Sequence, residues 1–262
     1  MYQFFSRPDA QISLCGDLRF HLAERRIPGA PDFMRGLRAL FVSDIHADRR
    51  TSDDDMARFA ARLAEARPDI AFWGGDFADS RDGAARLIEH LSALCPRLGS
   101  FAVPGNNDRE AWPELGDLRR ALARSGVRLL VNESAPVSAN GGSIVVAGVD
   151  EYRHGCPDAS GLYPTEASGA CYRVLLSHFP VMPAAMPDLM LSGHTHGGQF
   201  NLFGVTPYTI GFERLYGHRA SRFISGQHEY RGAQVIVSKG IGASRLPLRI
   251  GVRPEAELLR FE

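Results

Sequence analysis

The chain is 262 residues long and 44% hydrophobic, with 30 basic and 30 acidic side chains and a formal net charge of zero. That size supports one sizeable core, read as a single domain over 1–262 with residues 1–38 a lead-in packed on it. The even charge gives no reason to expect a nucleic-acid or other polyanionic partner, and no apolar run approaches the ~20 residues that span a bilayer.

Residues 1–38 read as irregular or extended. An apolar strand over 37–42 then stops at Ser43-Asp44. Over 53–66, Met56, Phe59, Ala60, Leu63 and Ala64 recur at helical spacing. Asp53 to Asp55 suit the positive end of that helix, and Pro68 lies beyond its end. A strand over 70–73 leads into Gly74-Gly75-Asp76, a helix covers 83–94, and a strand over 99–103 delivers Pro104-Gly105-Asn106. A third helix is predicted over 113–125 and a strand over 127–130. This half alternates strand and helix, as an α/β layer does. The later half offers short strands at 143–149, 172–176, 189–191, 223–225, 234–237 and 257–261, with few helices between them. The sum predicts two stacked sheets with helices outside, and 155–169 reads as a surface loop.

Four cysteines, Cys15, Cys95, Cys156 and Cys171, match no zinc-ligand spacing and read as buried thiols, not a disulfide framework. Lys239 is the only lysine, so a cation meeting phosphate is expected to be arginine, whose fork holds two oxygens at once. The start lacks the basic, apolar and small-residue pattern of a secretory signal, which gives a cytoplasmic expectation.

Five short polar segments carry the chemistry. In Asp44-Ile45-His46 the outer two side chains share one side of an extended chain while Ile45 points the other way. Asp76 follows two glycines, which permit a sharp turn and close approach to an ion; a turn Asp bonding its own backbone is the plainer alternative. Asn106 offers a neutral amide oxygen, though Gly-Asn is also a simple turn signature. His178 ends an apolar strand, where a packed core imidazole is equally ordinary. Gly193-His194-Thr195-His196-Gly197-Gly198 is the specific element, because two imidazoles at i, i+2 between glycines can each serve a different ion.

In this order, across residues 44–199, the elements resemble the signature of the calcineurin-like metallophosphoesterase superfamily. Toward the end, Val237-Ser238-Lys239-Gly240-Ile241-Gly242, Leu246-Pro247-Leu248-Arg249 and Arg253-Pro254-Glu255 are similar to the subgroup of bacterial YkuE- and YaeI-type phosphoesterases. The resemblance implies an α/β metallophosphatase fold: a four-layer α/β/β/α sandwich of two mixed sheets flanked by helices, with the site at the strand ends. It implies Asp44, His46 and His196 around one metal ion, Asn106, His178 and His194 around a second, and Asp76 shared between them. The ions it implies are divalent or mixed-valence Mn, Fe or Zn. Such a pair, ~3.5–4 Å apart, clamps a phosphoryl oxygen and turns a bridging water into the attacking hydroxide.

Many members of that superfamily read Gly-Asn-His where this chain has Gly105-Asn106-Asn107. The resemblance implies that this His binds phosphate and protonates the leaving group. Asn107 keeps a hydrogen-bond donor but carries no proton, and general acid help is worth about 10²–10⁴-fold. The expected substrates are therefore small phosphodiesters or nucleoside-diphosphate-linked lipids with stabilised leaving groups, ahead of simple alkyl monoesters. Asp108 and His154 are alternative proton donors. Arg109 is the candidate arginine for developing negative charge, ahead of Arg153 and Arg245. The apolar stretch 200–216 (Phe200, Leu202, Phe203, Val205, Tyr208, Ile210, Phe212, Leu215, Tyr216) either packs a sheet edge or walls the site for a lipid or nucleobase group. The resemblance also raises peripheral contact with the inner membrane. A broad phosphomonoesterase, a cyclic-nucleotide phosphodiesterase and a catalytically silent metal-binding scaffold are the competing readings. A monomer or weak homo-oligomer without a stable nucleic-acid partner is expected.

Overall fold

The computed structural model describes residues 12–163, 170–210 and 223–262. Its elements in chain order are β1 (Ile12–Leu14), β2 (His21–Ile27), β3 (Arg38–Val42), α1 (Asp53–Ala64), β4 (Ile70–Trp73), α2 (Arg81–Leu91), β5 (Ser100–Ala102), α3 (Asn106–Ala111), α4 (Gly116–Arg124) and β6 (Val127–Leu129). They continue as β7 (Glu133–Ala139), β8 (Gly142–Gly148), β9 (Cys171–Leu176), β10 (Leu189–Ser192), β11 (Gly226–Tyr230), β12 (Ala233–Val237), β13 (Leu248–Ile250) and β14 (Glu255–Phe261).

Two mixed six-stranded sheets result, ordered β2-β14-β3-β4-β5-β6 and β11-β12-β10-β9-β8-β7, with a small β1-β13 ribbon beside them. In the first sheet β3, β4, β5 and β6 run parallel. In the second, β8, β9, β10 and β12 do. Strands of that kind are buried on both faces, which is why β3 and β4 read as continuous apolar runs.

Phe41, Phe72 and Phe101 of the first sheet meet Ile144, Val174, Leu191 and Ile236 of the second and form the layer between them. Helices α1, α2 and α4 press Met56, Leu63, Leu87, Leu91 and Leu118 onto the far face of the first sheet, around Leu40 and Trp73. The start of α1 is fixed by a capping box: Ser52 Oγ accepts from Asp55 N at 3.1 Å, and Asp55 Oδ2 accepts from Ser52 N at 3.1 Å.

The predicted pair of sheets is present, and several details differ. The lead-in holds a regular strand, β2, paired in parallel with β14. Its Glu24-Arg25-Arg26 run hid it, because Arg25 turns inward to Glu257 at 2.7 Å instead of to solvent. A helix, α3, starts at Asn106, where Gly-Asn-Asn reads as a turn. The strand expected at 223–225 lies at Gly226–Tyr230. Strand β7 lies where the sequence reading names no strand, and its Pro136 is tolerated at the edge position it occupies. On the far face of the second sheet, the described cover over Leu175, Met190 and Val235 comes from Leu162, Tyr163, Met182 and Met186 in irregular chain. Pro180, Pro183 and Pro187 deny that stretch the amides a helix needs. All four cysteines are free, and Cys95 and Cys156 are exposed where buried thiols were expected. Among the described residues no helix is long and apolar enough to cross a membrane.

Candidate metal centre

Six strand ends meet at one edge of the two sheets. From the first sheet, β3 delivers Asp44 and His46, β4 delivers Asp76, and β5 delivers Asn106. From the second, β9 delivers His178 and β10 delivers His194 and His196, while the loop after β12 closes behind Asp44 through the bond from Gly242 N to Asp44 O. The structure thus brings all seven sequence-predicted ligands together. Asp44, His46 and His196 form one group whose ligand atoms lie within 4.8 Å of one another, and Asp44, Asp76 and His178 form another. His178 Nε2 and His194 Nδ1 both face Asn106 Oδ1, at 3.2 and 3.0 Å.

The backbone is bent to achieve this. Asp44, His46, Asp76, His194 and His196 all have positive φ, at 53°, 47°, 54°, 68° and 51°. Non-glycine residues enter that left-handed region at an energetic penalty, and such strain concentrates at functional sites. Two glycines allow the close approach. A Cβ on Gly105 would sit 2.1 Å from Asp76 Oδ1, and one on Gly193 would sit 2.1 Å from Asp44 Oδ2.

The imidazoles are aimed by their other nitrogens. His46 Nδ1 lies 2.7 Å from Asp79 Oδ1, and His178 Nδ1 lies 2.7 Å from the Gly74 carbonyl. Both partners are acceptors, so each Nδ1 carries a proton and each Nε2 is the ring atom turned toward the cluster, available to a cation once its own proton is released. His46 Nε2 is buried without a hydrogen-bond partner, 3.4 Å from Asp76 Oδ2. The same Asp76 oxygen is 3.5 Å from His178 Nε2, so it stands between one imidazole of each predicted set. A buried ring nitrogen without a partner, beside carboxylates, is what a cation would satisfy, and the donor set of imidazole, carboxylate and amide oxygen suits Mn, Fe or Zn.

Electrostatics agree. Burial pushes Asp44 up, with the neighbouring Asp76 charge adding to it. Burial opposes charge on His178, yet the charge and hydrogen bond of Asp76 outweigh it and push the imidazole up to about 10. His46 is also raised: burial works against its charged form, but the hydrogen bond to Asp79 and the Asp76 carboxylate win. His196 goes the other way, lowered by burial and by His46 and Arg249. The field of two buried carboxylates therefore attracts positive charge into the cluster.

Of the four further candidates, Asn107 alone faces the cluster. Its backbone N–H donates to Asp76 Oδ1 at 2.8 Å and its side-chain amide to Asp76 Oδ2 at 3.0 Å. Asp108 turns away and accepts the amides of Asp76 (2.7 Å), Gly105 (2.9 Å) and Phe77 (3.1 Å). Burial and the Asp76 charge push it up to about 7, against the pull of those amides. Its position is that of a brace for the Asp76 turn, which corrects its reading as a proton donor at the cluster. Arg109 is drawn off by Asp150, 2.6 Å away, and by the Pro113 carbonyl. His154 lies exposed in the turn after β8, its backbone N–H held by Glu151.

Sequence reasoning missed two supporting residues. Asp79, three positions after Asp76, carried a signal in its spacing. Arg249 is fully buried and donates to Gly242 O (2.6 Å) and His196 O (3.3 Å), with a third nitrogen 3.1 Å from His196 Nδ1. It stood in the Leu-Pro-Leu-Arg stretch without an assigned role.

Comparison with known proteins agrees with this geometry. YpbG of Bacillus subtilis is 31% identical over 233 residues, covering 85% of this chain and 80% of its own. The phosphodiesterase YaeI of Escherichia coli is 26% identical over 250 residues, 92% of this chain and 88% of its own. A zebrafish (Danio rerio) transmembrane protein with a metallophosphoesterase domain is 30% identical over 253 residues, 86% of this chain and 53% of its own. The family model for calcineurin-like phosphoesterases matches residues 37–198, the stretch from β3 through the His194/His196 loop, and the chain belongs to that family.

Proposed function

We infer that this phosphoesterase is a dinuclear hydrolase of phosphodiester or pyrophosphate-linked small molecules. Asp44, His46 and His196 would hold one ion, Asn106, His178 and His194 would hold the other, and Asp76 would serve both. The observation that carries the reading is the buried, partnerless His46 Nε2 beside an Asp76 oxygen that also faces His178. Ions held there would supply Lewis acidity and a nucleophile from water at neutral pH.

The protein's own groups set the rest. Asp79 and the Gly74 carbonyl hold two imidazoles in the tautomer that leaves Nε2 free. Asp108 fixes the backbone amides around Asp76. Asn107 donates a hydrogen bond into the cluster but delivers no proton, so the leaving oxygen departs without acid help. That favours substrates whose leaving group is already a stabilised anion, such as aryl diesters and pyrophosphate-linked compounds, over simple alkyl monoesters. The phosphodiesterase description of YaeI supports the same class.

The test is a leaving-group series of aryl and alkyl phosphodiesters, run with Mn, Fe and Zn separately. Asn107→His is expected to flatten the dependence on leaving-group pKa and to raise turnover of poor leaving groups by about 10²-fold. Equal slopes in both proteins would discard the role of Asn107. A fully metal-loaded protein inert toward every ester would favour the silent-scaffold reading instead.

Peripheral contact with the inner membrane belongs to this proposal, as does a small-molecule substrate without a stable nucleic-acid partner. The membrane part is supported by the exposed side chains of Leu202, Phe203, Val205 and Ile210. Phe212, Leu215 and Tyr216 of the same apolar stretch lie outside the described residues.

A further inference from the structure

The β1-β13 ribbon has two faces with opposite characters. Ile12 pairs with Ile250, Ser13 with Arg249 and Leu14 with Leu248, and Phe200 bridges to Ile250. Residues directly opposite one another in such a ladder share a face. Ile12, Leu14, Leu248, Ile250 and Phe200 therefore form one face, while Ser13 and Arg249 form the other. Arg249 is buried against His196, so the apolar face is the outer one.

That outer face is open. Ile12 is 66% exposed and Leu14 77%. Beside it the chain makes a tight turn, closed by reciprocal backbone bonds of 3.0 Å between Leu202 and Val205. At its tip Phe203 is 86% exposed, flanked by exposed Leu202 and Val205, and Leu246 is exposed next to the ribbon. A contiguous set of large apolar side chains on this scale marks a contact surface.

The charge around it identifies the occupant. Residues 199–210 contain no charged side chain, and residues 243–254 contain no acid; of their arginines, Arg245 and Arg253 are exposed while Arg249 is buried on the inner face. Directly alongside is a recess of about 570 Å³, lined by Leu14 and Pro247, by Arg19, Arg50 and Arg253 and by Asp17 and Asp48, with Ile45, His46 and Gly242 in its wall. Arg19 and Arg50 are paired with Asp17 and Asp48, so Arg253 is the basic group of that rim without an acidic partner among the described residues. A second copy docked face to face would bring Arg253 against its own equivalent, with Asp17 and Asp48 already taken by Arg19 and Arg50. An anionic lipid surface supplies both the acyl region for the apolar turn and the phosphates for the arginines.

We propose that the outer face of the β1-β13 ribbon, with the Leu202–Val205 turn, docks the protein on an anionic bilayer, with the arginine-lined recess against lipid phosphates. The assignment rests on the membrane-contact part of the function proposed above and not on its catalytic part.

The experiment is vesicle co-sedimentation of the full chain, with phosphatidylcholine alone and with 30% phosphatidylglycerol, about the anionic fraction at which surface potential draws basic groups. Binding to the anionic vesicles is expected to exceed binding to neutral ones by about tenfold and to weaken with salt. Leu202→Ser with Phe203→Ser is expected to lower binding to both vesicles by about tenfold or more. Arg253→Glu should lower it on anionic vesicles alone, by roughly tenfold. Hydrolysis of a soluble aryl phosphodiester is expected to stay within about twofold in all these variants, and metal-stripped protein is expected to sediment as intact protein does. Failure of docking with hydrolysis intact would therefore overturn this inference alone. No sedimentation of the unmodified chain, or sedimentation indifferent to both substitutions, would overturn it. So would a lipid-independent dimer dissolved by Phe203→Ser, which would make the occupant a second copy.

Discussion

The two sheets bring different chemistry to their common edge. The first contributes both carboxylates, the amide and one imidazole, through Asp44, Asp76, Asn106 and His46; the second contributes three imidazoles, through His178, His194 and His196. Neither set alone completes either ion's predicted shell. Two buried carboxylates facing an apolar layer would be costly without a cation, and each predicted shell draws ligands from both sheets, so packing of the sheets and loading of the centre are expected to be coupled.

The sharpest way to break this asymmetry is to remove the shared charge. Asp76→Asn leaves shape nearly unchanged but takes one of the first sheet's two carboxylates. It is expected to lower kcat/KM by more than about 10³-fold and to reduce bound metal from two ions to one or none, read by metal analysis of the purified protein. Two tightly held ions in that variant would show that Asp76 is not shared.

A smaller effect comes from the group behind a ligand. Asp79→Ala frees His46 Nδ1 while leaving every predicted ligand in place. Metal affinity is expected to fall by about 10–100-fold, with the loss concentrated at the ion held by Asp44, His46 and His196. A titration that loads both ions as in the parent protein would remove Asp79 from the centre.

Proton competition sharpens the contrast among the imidazoles themselves. His178 is pushed up to about 10, because Asp76 outweighs burial, so below that pH an incoming ion must expel its proton. His196 is lowered and gives up none at neutral pH. Metal affinity should therefore rise with pH through the neutral range, by about tenfold per unit for each proton released. Calorimetry in buffers of different ionisation enthalpy measures the release; affinity that is flat between pH 6 and 8 would contradict it. The smallest effect is expected far from the edge. Ser52→Ala removes the α1 cap and should lower stability by about 1 kcal/mol with unchanged turnover, as seen by thermal unfolding beside an activity assay.

Much of this was legible in the chain because the parallel strands are short, apolar and each followed at once by a polar residue. Residues such as Val42 and Trp73 announced the strands, and Asp44 and Asp76 announced the edge. What escaped has a common physical cause. Strand β2 hides its pattern because half-buried Arg25 turns inward to the buried Glu257, an inward charge that periodicity reads as outward. Helix α3 begins on residues whose local preference is for turns, and Asp108 reverses that by gathering backbone amides. Arg109 looked available beside Asn106, but Asp150 arrives from a distant strand end to claim it. Such long-range pairings leave no trace in local sequence.

Strand β13 has a consequence for how this chain can change. Arg249 points to the His196 loop while Leu248 and Ile250 point outward, so adjacent positions serve unrelated tasks through nothing more than their parity. Inserting or deleting one residue between Gly242 and Arg249 would exchange the two sides, turning the guanidinium to solvent and a leucine toward the ions. Point changes on the outside are tolerable there; changes of length are not.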